Sequence, residues 1–177
     1  MLIRKICIGH KRAFTLVELI VVLGILGILI ALLLPAAAKI RPKADEIVCI
    51  SHLHNLWLNF APCATDPMGW PQVPKEIEKG TIEEQQWWLD YSSNNLGLSK
   101  NDWMCPTIAR AAAHASPQDQ VPLISYLPTL FDSRPGTANR WPTMPWFSEM
   151  GNVHGHGNLV VRTDGAILPS EPLNLNK

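Results

Sequence analysis

The chain has 177 residues, enough for one globular domain with an appendage, and its formal charge is zero, with 15 Lys and Arg against 15 Asp and Glu. Arg4, Lys5, Lys11 and Arg12 fall in residues 1–13 with no acid, so the rest is net acidic and lacks the basic stripe of a broad nucleic-acid surface. Four cysteines exclude a disulfide-dense scaffold, and no zinc-type spacing, nucleotide-binding loop, nucleophile elbow or zinc-protease motif is present.

The first element is an apolar helix. Residues 19–38 carry no charge, and 20 helical residues at ~1.5 Å each span a hydrocarbon core of ~30 Å. The basic leader is expected to stay cytoplasmic, with the C-terminal domain outside. A cleaved secretory signal would offer Ala36-Ala37-Ala38, but this apolar stretch exceeds the ~7–15 residues of a secretory core. Glu18, near the start of the span, needs its own explanation, since a charge in a membrane segment is costly and marks a partner or a function. Cleavage before Phe14 would create an amine one helical turn from Glu18, or within reach of Glu18 on a neighbouring subunit.

Lys11-Arg12-Ala13 followed by Phe14-Thr15-Leu16-Val17-Glu18 resembles the prepilin leader and cleavage motif of type IV pilins and type II secretion pseudopilins. The resemblance implies a cut between Ala13 and Phe14 by a prepilin peptidase and N-methylation of Phe14. It also implies Glu18 as the assembly contact and Pro35 as the helix kink. Ala13 departs from the usual Gly. Pro35 removes a backbone donor, while Gly24 and Gly27 would let neighbouring helices approach.

Pro42 is expected to interrupt the helix, with a second helical stretch over residues 44–60. Its apolar face is Ile47, Cys49, Ile50, Leu53, Leu56, Trp57 and Phe60, and its polar row is Asp45, His52, Asn55 and Asn59. A proline-rich link follows. Thr81-Ile82-Glu83-Glu84 is a capping-box pattern that opens a short helix to about Tyr91, and a third helix is expected over residues 108–115, ended by Pro117. The Trp87–Trp88 pair is read as core or contact surface. In an oxidising space Cys63 and Cys105 could pair, with Cys49 as core.

Strands are expected near residues 124–127, 146–150, 158–162 and 166–168, with Asp164-Gly165 as a hairpin turn. His154, Gly157, Asn158, Asp164 and Gly165 also resemble the C-terminal H-x9-DG signature of a pilin-like family abundant in planctomycetes. Ala166 stands where that family usually has His. The plain reading of His154 is a contact to Asp164 that ties the last hairpin to the preceding loop. A zinc site from His154, His156 and Asp164 is chemically conceivable, but nothing places these three on one face, and no metal or other cofactor is expected.

Together these readings predict an α+β, pilin-like fold, with a long N-terminal helix on a small, mainly antiparallel sheet. The expected organisation is a leader at 1–13, a transmembrane and assembly helix at 14–38, its amphipathic half at 39–60, and a periplasmic domain at 61–177. The expected function is structural rather than enzymatic. The subunit would sit in the bacterial inner membrane, with prepilin peptidase, other pilin or pseudopilin subunits and the membrane as partners, and no nucleic acid. The competing reading is a membrane-anchored binding module that uses the tryptophan-rich middle and never joins a filament.

Overall fold

A computed structural model of the chain describes residues 14–65, 69–116, 121–134, 136–155 and 157–170. Ala13, Pro117 and His156 lie outside the described residues. The chain forms two compact units, divided after Ile40.

Helix α1 runs from Leu16 to Phe60. It continues through Pro35 and Pro42, so the interruption expected at Pro42 is corrected. Each proline lacks the N–H that would bond the carbonyl four residues earlier, at Ala31 and Ala38. The flanking ladder carries the helix across both gaps.

In the second unit α1 supplies Cys49, Leu53, Leu56 and Phe60, all fully buried and spaced four, three and four apart. Ile47, expected on this face, is exposed. The polar row turns inward instead, because the domain offers it polar partners. Asp45 pairs with Arg110, Asn55 donates to Asp102 at 2.8 Å, and Asn59 donates back to the Asn55 carbonyl at 2.8 Å.

Helix α2, Ile82–Leu96, starts where the capping pattern placed it, with the Thr81 hydroxyl accepting from the Glu84 N–H. It runs past Tyr91 to Leu96, where Gly97 takes the left-handed conformation that ends it. Helix α3 spans Pro106–Ala113, two residues earlier than predicted, because Pro106 serves as its first residue and Cys105 as its N-cap. A single turn, α4, covers Thr137–Arg140.

Strands β1 (Tyr126–Pro128), β2 (Phe147–Glu149), β3 (Leu159–Val161) and β4 (Ile167–Pro169) form one antiparallel sheet in the order β1-β2-β3-β4. All four lie within the predicted stretches or shifted by one or two residues. Their register pairs Tyr126 with Glu149, Phe147 with Val161 and Val161 with Ile167.

The α+β, pilin-like fold is thus present: a long N-terminal helix with a small antiparallel sheet. Phe60 is the centre of the aromatic core. Its ring lies 5.0 Å from Phe147, 5.6 Å from Trp70, 5.9 Å from Trp103 and 6.2 Å from Trp88. Trp70, Trp88, Trp103 and Trp146 are buried here, so most of the tryptophan surface is spent on the fold.

Candidate functional site

The N-terminal unit presents chemistry of one kind. From Leu16 to Pro35 the helix is long and apolar enough to cross a membrane, with a mean hydropathy of 3.0, and none of it is buried. Cβ atoms added at Gly24 and Gly27 would meet nothing within 4 Å, so both positions are open to a neighbour.

Glu18 has a local partner that its sequence context encodes. Its carboxylate accepts from the Thr15 N–H at 2.9 Å and from the Thr15 hydroxyl at 2.8 Å, and the Glu18 N–H donates to the same hydroxyl at 3.2 Å. This is a reciprocal capping box. Thr15-x-x-Glu18 carries the same signal as Thr81-x-x-Glu84, and sequence reasoning applied it only to the second. Phe14 precedes the cap and is exposed.

The C-terminal motif divides between two places. Asp164 and Gly165 form the β3–β4 turn, closed by the Arg162 N–H on the Ala166 carbonyl at 3.0 Å. The Asp164 carboxylate accepts from the Ala166 N–H at 3.0 Å and from Arg162 Nη2 at 3.1 Å, and these bonds hold its pKa below the usual range. Gly165 takes φ +78° and sits so close to α1 that a Cβ would lie 3.1 Å from the Trp57 ring. Trp57 in turn donates to the Thr163 carbonyl at 3.1 Å. The turn is therefore seated on the helix.

His154 goes elsewhere. Its Nε2 is 3.2 Å from Glu149 Oε1 and 3.8 Å from Cys105 Sγ. Glu149, rather than the expected Asp164, is the carboxylate beside it. Asp164 is exposed at the turn, whereas the Glu149 and His154 side chains are both almost wholly buried.

Glu149 occupies an inward position of β2, two residues after Phe147, and its other oxygen accepts from the Leu159 N–H at 3.3 Å. Burial pushes its pKa up to about 7, against the opposing pull of the His154 charge. An acid on the inward face of a predicted strand was a visible signal in residues 146–150, and it went unused.

Cys49 and Cys105 complete the cluster, with their sulfurs 2.6 Å apart. The Cys105 N–H donates to Ser125 Oγ at 2.9 Å, which fixes the start of α3 against the residue before β1. As thiols the two would divide sharply. Cys105 is drawn down to about 5, first by the bond from Cys49 and then, against burial, by the N–H groups of Ile108 and Thr107 at the start of α3. Cys49 is pushed up by that same bond and by burial.

Of the pairings open from sequence, the structure places Cys105 against Cys49 rather than Cys63. Cys63 is buried beside Tyr91, its thiol raised by burial. One donor atom from each of Cys49, Cys105, Glu149 and His154 lies within 4.8 Å of the others, a donor set that differs from the His154, His156 and Asp164 considered from sequence.

A family model for the prokaryotic N-terminal methylation motif matches residues 8–34. No curated protein and no solved structure matches the chain significantly. The motif, with the pilin-like α+β fold, supports a pilin-like protein and suggests a prepilin-like substrate for prepilin peptidase. The apolar helix that most of the motif covers is consistent with a single-pass membrane anchor.

Proposed function

We propose that the chain is the precursor of a structural filament subunit rather than an enzyme. Prepilin peptidase cuts it between Ala13 and Phe14 and methylates the new amine, and the mature subunit enters a type II secretion-like pseudopilus or a type IV pilus. The domain at 41–177 then lies on the periplasmic side of the inner membrane. Residues His154, Asp164 and Gly165 serve the fold of that domain in this reading.

The observation that carries the proposal is an apolar helix, Leu16–Pro35, with none of it buried, whose one acid, Glu18, stands at its start within the matched methylation motif. A filament would cover that surface with copies of itself. Glu18 would trade its Thr15 bonds for the methylated amine of a neighbouring Phe14, an ion pair sheltered from water by the surrounding helices.

Two glutamate variants test this role. Glu18→Gln keeps a capping side chain, since Gln serves at this position of the box, but it removes the charge. It is expected to be processed normally and to fail to enter filaments, as is Glu18→Ala. Normal incorporation of Glu18→Gln together with failure of Glu18→Ala would reduce Glu18 to a helix cap. The mass of the mature N-terminal peptide from the membrane fraction tests the processing step: methylated Phe14 is expected, and a start at Met1 would leave an anchored module outside any filament.

A further inference from the structure

Cys49 on α1 and Cys105 at the start of α3 stand 56 positions apart in sequence, and both are fully buried. Their sulfurs, at 2.6 Å, are well inside van der Waals contact, which even for a pair of smaller carbon atoms lies at ~3.5–4.0 Å. Two thiolates sharing a tetrahedral zinc at ~2.3 Å each would stand about 3.8 Å apart. A disulfide needs ~2.05 Å. The spacing is therefore nearer to a bridge than to a metal centre, although two further donors, the Glu149 carboxylate oxygen and the His154 ring nitrogen, lie alongside.

Charge points the same way. With thiols present, the cluster holds four groups that can turn anionic, Cys49, Cys105, Glu149 and the buried Tyr126 hydroxyl beside Cys49, against one imidazole. Joining the sulfurs removes two of them. Glu149 and His154, 3.2 Å apart, can then share a single proton and stay neutral as a pair, with the Leu159 N–H on the second carboxylate oxygen. A buried cluster that balances its charge avoids the large cost of an unpaired buried ion.

We propose that Cys49 and Cys105 form a disulfide that staples α1 to the start of α3, with the Glu149–His154 pair packed over it. One S–S bond forms and two S–H bonds break. An external disulfide's S–S bond breaks, and the two protons and two electrons pass to it, giving its dithiol form. Cys63, beside Tyr91, stays a thiol. The bridge rests on the reading that the domain is exported to an oxidising compartment. In a filament subunit it would give the helix that carries assembly a covalent hold on the domain it displays.

The test uses full-length protein extracted from membranes in detergent. It is denatured without reductant, alkylated and digested, and a native portion is analysed for zinc. The expected result is a Cys49–Cys105 peptide pair that separates on reduction, with Cys63 alkylated. Reduction of the folded protein is expected to lower Tm by roughly 10–15 °C, for a loop of this length in a domain of this size. Alkylation of both Cys49 and Cys105 without reductant would overturn the proposal, as would a Cys63–Cys105 link. Stoichiometric zinc with free thiols would assign the four side chains to a metal centre instead. The N-terminal peptide in the same digest reports separately on processing. A Phe14 start with free thiols removes the bridge alone, and a Met1 start with the bridge intact removes the filament reading alone.

Discussion

Glu149 shows how a single side chain can be placed by sequence and valued only by its surroundings. A carboxyl whose pKa is raised from 4.5 to about 7 binds more protons folded than unfolded between those values. Its contribution is full below about pH 4.5 and is lost as pH rises through 7. Glu149→Gln keeps an acceptor for the Leu159 N–H and cannot ionise. In reductant, where Cys105 and His154 face this position in both proteins, the stability of wild type relative to Glu149→Gln should fall by at least ~1 kcal/mol between pH 5 and pH 7.5. Urea melts at the two pH values read the difference directly. A gap that does not change with pH would mean that Glu149 stays ionised throughout. Asp102 has the opposite balance: burial works to raise its pKa, but bonds from Ser99 and Asn55 outweigh that and hold it low.

Among the elements, the β3–β4 hairpin and the loop before it carry the sharpest constraints. Gly157 has φ +102°, and a Cβ there would lie 2.2 Å from the Ser170 carbonyl oxygen, where the Ser170 N–H bonds the Asn158 carbonyl at 2.7 Å. Backbone cannot step aside as a side chain can. Gly165 has φ +78° and faces the flat Trp57 ring at 3.1 Å, which can shift by a few tenths of an ångström. Gly165→Ala is therefore expected to cost about 1–3 kcal/mol, and Gly157→Ala clearly more. Thermal melts of the two variants check the order, and equal costs would show that the Trp57 contact is as rigid as the Ser170 backbone. The Asp164-Gly165 signal predicted this turn from local chemistry alone. Nothing in residues 158–168 says that Trp57, about a hundred positions earlier, would be its seat.

At the scale of the whole molecule, the buried core begins at Cys49 and no residue of the described N-terminal unit belongs to it. A fragment covering residues 41–177 is expected to be soluble without detergent and to melt within a few degrees of the full chain, as read by circular dichroism and gel filtration. An aggregated or unfolded fragment would show that the apolar helix is needed for folding and not only for anchoring. The membrane span, the cleavage motif, the cap at Thr81 and the four strands were all legible in the chain, because each rests on neighbours within a few residues: unbroken apolarity, a turn dipeptide, alternating side chains. The partners of Cys105, His154, Asp45 and Asn55 were not. Those contacts join residues 5 to 65 positions apart, and a helix face reads as polar whether water or a second element will cover it. Which cysteine meets Cys105, and which carboxylate meets His154, was settled only when α1, α3 and the sheet closed on one another, since burial and charge act between elements that no local pattern brings together.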